Sequence, residues 1–340
     1  MIDNHDDILE FPLRLSKLCL SNIRDDSACI SPVAIEAAFH ALSFPNKSNK
    51  NMPIAYYNYF IINKDSIKSL RKDLNEETMK YSNTEFQLHT LVDYEEKKLL
   101  LNQLLKHVFD QTFLSLQKLL NQIIIESMTL ISCSSLIFRP FKSEHWEQLW
   151  SLKFHTNIDL SIETEFYYTK GFFRVAFHNT FHKIEIPGQI IDGIQMKLII
   201  LLPRCSSDLV HLYANIKEYL NLPFSSAFIG VCIPKISIDI DINLNELLKN
   251  SNNSYNIGEF NEQIHLSNAY SLGRFILDMN IDKPKQILTH SIDLSPVTPW
   301  VFFANRPFLF LITYGDYYLL IGQMLGPKIG QERRKKKFSK

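Results

Sequence analysis

Glycine is scarce in this chain, at ten of 340 residues. No GxGxxG or Walker loop occurs, so no segment suggests a backbone cradle for phosphate. The GxSxG elbow and the HExxH zinc helix are absent too, which removes the commonest hydrolase and metalloprotease signatures. Cysteine is equally uninformative. Cys19, Cys29, Cys133, Cys205 and Cys232 are scattered, odd in number and never spaced CxxC, so neither a disulfide framework nor a zinc site is expected. An excess of one charge sign is also missing, since 36 basic residues balance 36 acidic ones. The whole molecule is therefore not steered toward nucleic acid or an anionic membrane. No uninterrupted apolar run is long enough to span a bilayer. The opening "MIDNHDDILEFPLRL" lacks the basic start and apolar core of a secretory signal, which predicts a soluble, cytoplasmic protein. No cofactor, metal or enzymatic activity is expected.

The remaining chemistry-bearing residues read as structural. His178 and His182 in "HNTFH", with Glu185 nearby, have a metal-like spacing only on a helix, and they sit among strand formers. Asp239 and Asp241 lie on the polar face of a strand and are solvated. Trp146 in "SEHWEQLW" reads as a packed indole.

The apolar pattern places helices first and strands later, an α+β order. Phe11, Leu15 and Leu18 mark a first amphipathic helix. "ISPVAIEAAFHALSF" reads as a second, with Ser31 as cap and Pro32 at its first position. Strands are expected at "IAYYNYFII" and "FQLHTLVDY", with helices at "SIKSLRKDLNEETMKY" and "EEKKLLLNQLLKHVFDQT". "MTLISCSSLIF" reads as a strand buried on both faces. "HKIEIP", "MKLIILLP" and "IGVCIPKISIDIDIN" follow as strands, the last with Ile236, Ile238, Ile240 and Ile242 alternating inward. "LNELLKN" is a short helix. "PFLFLITYGDYYLLIGQML" is a hairpin turning at Gly315-Asp316, apolar enough to be central. "QERRKKKFSK" is a basic tail, expected to be disordered, from about residue 328 to 340.

The C-terminal "FFANRPFLFLITYGDYYLLIGQMLGP" resembles the closing signature of serpins. "ACISPVAIEAAF", "HTLVDYEEKKLLLNQLLKHV", "TLISCSSLIFRPFKSEHW" and "HKIEIPGQIIDGIQMKLIILLP" are similar to that family's segments in the same order, over about residues 8 to 327. The resemblance implies one serpin-like domain over 1–327. N-terminal helices would pack with a large central mixed sheet, further sheets and an exposed reactive-centre loop at about 281–300. Two helices that the family carries are replaced by the loop "PNKSNKNMP". Binding of sulfated polysaccharide, which uses one of them, is not expected. The implied protein is a monomer whose partner is a serine or cysteine protease. Extracellular space is the family-based alternative to the cytoplasm.

In that family a protease cuts the loop, which then inserts as a new strand in the main sheet and drags the protease with it. The resemblance puts the bait window at Leu294, Ser295, Pro296, Val297 and Thr298. It puts the hinge at Ile281, Asp282, Lys283 and Pro284, where the family has Glu-Glu-Gly-Thr. Lys285 to His290 replace a run of alanines. These side chains oppose insertion: Pro284 has no N–H for a ladder. Gln286 and His290 would be buried, at about 1–3 kcal/mol each if unpaired. The sheet-opening region is assigned to Ser31, Ser134, Trp146 and Gly273. Ser134 or Ser135 stands where the family has Asn, and Ser271 or Gly273 where it has His. Three readings follow: a protease inhibitor, a non-inhibitory relative serving as a binding or carrier protein, or a divergent product with little function.

Overall fold

Strands dominate the computed structural model. It describes residues 12–13, 15–17, 19–20, 27–35, 54–62, 87–90, 128–142, 145–156, 160–205, 209–244, 266–279 and 300–327. The expected helices at "SIKSLRKDLNEETMKY", "EEKKLLLNQLLKHVFDQT" and "LNELLKN", and the basic tail, lie outside these residues.

The strands form two sheets. The five-stranded sheet contains β2 (Ala55–Ile62), β3 (Gln87–Thr90), β4 (Met128–Phe138), β10 (Ser237–Asn243) and β11 (Leu266–Leu277), in the order β10-β11-β4-β2-β3. It is mixed: β10/β11 and β4/β2 are antiparallel, while β11/β4 and β2/β3 are parallel. The nine-stranded sheet holds β1 (Ala28–Ile30), β6 (Ser161–Phe177), β7 (Phe181–Ile191), β8 (Ile194–Pro203), β9 (Ser225–Pro234), β12 (Val301–Phe303), β13 (Phe308–Tyr314) and β14 (Tyr317–Met324). Their order is β1-β14-β13-β8-β7-β6-β9-β12, and β5 (Glu147–His155) pairs with β6 beside that path.

The two sheets share one core. Phe275 of β11 stacks on Phe310 of β13 with ring centroids 5.2 Å apart. Every β13 residue from Phe308 to Ile312 is fully buried, so this apolar run is central, as its composition predicts. Each such side chain contributes roughly 1.5–3 kcal/mol relative to exposure. The β13–β14 hairpin turns at Gly315, whose φ of +58° lies in the left-handed region that glycine adopts without strain.

One expectation needs correction. "IGVCIPKISIDIDIN" is two strands, β9 and β10, in different sheets. Pro234 has no N–H to continue a ladder. The chain then hands over: Lys235 N–H donates to the Glu165 carbonyl in the nine-stranded sheet, and Leu277 N–H, in the five-stranded sheet, donates to the Ile236 carbonyl. The inward alternation survives the break, with Ile236, Ile238, Ile240 and Ile242 all buried. Two short helices that the pattern left unassigned, α1 (Leu209–Ala214) and α2 (Ile216–Asn221), pack on the nine-stranded sheet.

Beneath α2 lies a lysine with zero exposure. Lys183 sits on β7 and donates from Nζ to the carbonyls of Tyr219, Leu220 and Leu222 at 3.1, 2.9 and 2.6 Å. These are orphan carbonyls of the helix C-terminus, where a cation is favoured. The Phe224 ring lies 4.0 Å from the same ammonium.

Candidate functional site

Where β4 and β11 meet, two strands run parallel at the centre of a sheet, in register from Leu266 opposite Met128 to Leu277 opposite Phe138. Residues of alternate parity on both strands face the nine-stranded sheet, as the Phe275–Phe310 stack shows. On that face Ser134 lies opposite Gly273, and Ser132 lies opposite Ser271. The sequence had left Ser134 or Ser135, and Ser271 or Gly273, open. The structure places Ser134, Ser271 and Gly273 together on the core face, with Ser135 on the other.

This seam is polar and unsatisfied. The hydroxyls of Ser132, Ser134 and Ser271 are buried and have no hydrogen-bond partner. An unpaired buried polar group costs about 1–3 kcal/mol. The seam is also tight. A Cβ on Gly273 would stand 2.1 Å from the Ser134 carbonyl oxygen, 2.9 Å from Ile240 Cδ1 and 3.0 Å from Ser134 Oγ. Glycine is what lets the two backbones close here.

Ser31 serves another task. Its Oγ accepts from Ala34 N–H at 3.4 Å and donates to the Leu319 carbonyl at 2.9 Å. It therefore caps the helix that begins at Pro32, as predicted, and ties that start to β14. Ser31→Ala is expected to cost about 1–2 kcal/mol in a urea unfolding experiment. A change within the error of the measurement would mean that neither bond matters.

Trp146 is buried, with 5 % exposure, just ahead of β5. Thr169 Oγ1 donates to the neighbouring His145 carbonyl at 3.0 Å and fixes that approach. The indole is a packed core residue, as its sequence context suggests.

Three residues at the upper end of the seam were not visible in the sequence. Gln189 Oε1 accepts from Arg139 N–H at 2.7 Å, and Nε2 donates to the Ile137 carbonyl at 3.1 Å. The Gln189 backbone N–H donates to the Arg139 carbonyl, and Phe141 N–H to the Pro187 carbonyl. The β4 end is thereby clasped to β7. Arg139 Nε donates to Asp278 Oδ2 at 3.0 Å, an ion pair that crosses from β4 to the end of β11. Asp278 N–H donates to the Phe138 carbonyl, carrying the parallel ladder one step past β11. No local motif announces such partners, which lie 50 and 139 positions apart in the chain.

The chain leaves the seam after Asp278 and Met279 and re-enters the described structure at Trp300. The hinge residues Ile281, Asp282, Lys283 and Pro284 and the window Leu294, Ser295, Pro296, Val297 and Thr298 lie outside the described residues. The return point is anchored: Gly230 N–H donates to the Trp300 carbonyl at 3.0 Å, leading into β12. The Trp300 ring meets Phe177 edge to face at 4.6 Å, and His182 at 5.4 Å. Burial lowers the His182 pKa, and Arg204 and Arg306 lower it further. The imidazole is thus held neutral as part of an aromatic anchor. His178 instead turns the β6–β7 connection, its Nδ1 2.9 Å from Thr180 Oγ1. No cluster of metal-ligating side chains occurs among the described residues. None of the five cysteines forms a disulfide, and burial pushes the Cys133 thiol up to about 12. No helix among the described residues is long and apolar enough to cross a membrane.

Comparison with known proteins places this geometry. The family model described as serpin (serine protease inhibitor) matches residues 36–327. Among solved structures, Serpin48, a highly specific serpin of the insect Tenebrio molitor, superposes with a TM-score of 0.72 at 15% identity, covering 96% of this chain and all 100% of that one. The mouse protein-Z dependent protease inhibitor gives 0.67 at 16% identity, covering 96% of each chain. Uncleaved ovalbumin gives 0.66 at 14% identity, covering 94% of this chain and 98% of that one. No curated protein matches in sequence.

Proposed function

Because the chain belongs to the serpin family, one of protease inhibitors rather than enzymes, we propose that it acts as a protease trap of the serpin type. The loop between Met279 and Trp300 is the bait, and the β4–β11 seam receives it after cleavage. The observation that carries this reading is the seam itself. Two parallel strands meet there directly, with three unpaired hydroxyls buried on one face. An antiparallel strand between them would give each a new ladder partner, and the sheet would become more stable by β-augmentation. The target is a serine or cysteine protease. The described structure names no particular one.

A second reading rests on the hinge. Lys283 and Pro284 stand where a strand must slide in quickly, and proline removes a ladder bond. The clasp of Gln189 and the Arg139–Asp278 pair hold the entry point closed as well. A loop that stays outside would make this a binding or carrier protein.

Thermal unfolding separates the two. Cleavage of the loop within Leu294 to Thr298 is expected to raise the melting temperature well above that of the uncut protein. Incubation with an acylating serine protease should then give a covalent complex that survives denaturation. An unchanged melting temperature would remove the trap reading and leave the binding one.

A further inference from the structure

Three basic side chains meet at one end of the β7–β8 ladder, in the nine-stranded sheet. There Phe181 lies opposite Pro203 and His182 opposite Leu202. Arg204 N–H donates to the Thr180 carbonyl at 2.9 Å, which carries the ladder one step past both strands. Residues two apart on a strand share a face, as do residues directly opposite, so Arg204 lies on the side that His182 occupies. Its Nη1 donates to the Asn179 carbonyl at 3.4 Å. Arg306 reaches the same corner from the segment between β12 and β13. Its Nε donates to the Pro203 carbonyl at 2.6 Å and its Nη1 to Asn305 Oδ1 at 3.3 Å.

No acid answers these charges among the described residues. Five other basic side chains form ion pairs with Asp or Glu, whereas neither Arg204 nor Arg306 has a carboxylate partner there. The groups are close enough to feel one another. Burial is the first cause lowering the pKa of His182 and of Arg306, and the charge of Arg204 lowers both further. Like charges held together cost free energy, which a bound anion would relieve. Donors are left over as well. A guanidinium carries five N–H bonds; Arg306 uses those on Nε and Nη1, and Arg204 one on Nη1. His182 Nδ1 is buried and has no hydrogen-bond partner. Beside His182 stands Trp300, its ring edge to face at 5.4 Å and 43% exposed.

We infer that Arg204, Arg306 and His182 form a receptor for a phosphate monoester, with Trp300 as the wall for its organic group. Two guanidiniums match the double charge of such an ester, where a carboxylate supplies one. Three donor groups match its three outer oxygens: a fork from each arginine, and Nδ1–H of a neutral imidazole. The backbone carbonyls of Asn179 and Pro203 hold the two forks in place before any ligand arrives. An aromatic ester is the best fit, because an exposed indole offers a ring face or edge to stack on. The site needs neither a cut nor an inserted loop, so it stands independently of the trap reading.

The test is titration calorimetry at neutral pH and constant ionic strength, with inorganic phosphate, phenyl phosphate and benzoate as probes. Phenyl phosphate should bind one to one, more tightly than either of the others. Arg204→Gln and Arg306→Gln should each weaken it by at least about tenfold, the loss of one charge-assisted bond. Arg204 is exposed, so Arg204→Gln probes the site without threat to the fold, and its melting temperature should match the wild type's. Trp300→Leu should keep the affinity for inorganic phosphate and lose the preference for the phenyl ester. A short phosphotyrosyl peptide tells a free ester from a phosphorylated chain: tighter binding than phenyl phosphate assigns the chain, weaker or equal binding the free ester. The inference is overturned if the wild type shows no saturable binding, or if Arg204→Gln binds as the wild type does. Benzoate bound as tightly as phenyl phosphate overturns it too, since one charge then suffices.

Discussion

Gly273→Ala is expected to destabilise the uncut protein by about 3 kcal/mol, the upper end of overpacking costs. The reason is backbone, not side chain. The new Cβ would lie 2.1 Å from the Ser134 carbonyl oxygen, which no rotamer change can move. The two strands would have to part at the middle of their parallel register. Replacing glycine by alanine ordinarily stabilises by about 0.4–1 kcal/mol through the unfolded chain, where the conformation allows it. That gain is too small to offset the clash. The backbone part of the penalty belongs to the closed seam, whereas the contact with Ile240 Cδ1 at 2.9 Å is with the movable end of a side chain on β10. With a strand between β4 and β11 the carbonyl would sit a further ~4.8 Å away, and the methyl would be accommodated. Chemical denaturation should therefore show a large loss in the uncut variant and little or none after loop cleavage. Equal losses in both forms would mean that the seam does not open.

Lys183→Met is the second large effect, at about 3 kcal/mol of lost stability, since each buried acceptor left unpaired costs about 1–3 kcal/mol. Methionine fills most of the volume but leaves the carbonyls of Tyr219, Leu220 and Leu222 without a donor. It also removes the cation from a helix C-terminus and from the Phe224 ring. Near the lysine stand Glu185, Arg174 and Lys197, with Arg174 bonded to Glu185 at 2.9 Å. Burial pushes the Lys183 pKa down from 10.5 to about 8, with Glu185 pulling it up and Arg174 lowering it. The sign of the pH effect follows. Between about 8 and 10.5 the unfolded chain keeps a proton that the folded one has shed, so stability from this group rises with pH across that window. The stability gap between wild type and Lys183→Met should widen over the same range. A gap that narrows would show that the three carbonyls hold the proton more tightly than burial expels it.

These two residues show what can and cannot be read from a chain. Gly273 was legible as a position of interest only through the resemblance to serpins, which placed it where a histidine is usual. Its physical role, closing two backbones, needed the partner strand, whose contacting residues lie far away in sequence. Lys183 carried no signal at all, sitting inside "HKIEIP", where the alternation predicts a strand and nothing more. Its burial depends on α2, a six-residue helix too short to be announced by periodicity. Gln189 was hidden for a similar reason, since nothing in "PGQIIDG" marks it and only the end of β4 reveals what the amide holds. The break at Pro234 and Lys235 was misread because isoleucine alternation continues through it on both sides.

By itself the sequence determined the strands of the core, the helix cap at Ser31, the hairpin at Gly315 and the family. These follow from local periods, turn chemistry and the order of segments. The tertiary structure alone decided that Ser134 faces Gly273, that three hydroxyls meet unpaired, and that Arg139 and Gln189 lock the upper end of the seam. Such facts depend on which strand lies beside which and in what register, and pairing between segments far apart leaves no trace in either one taken alone.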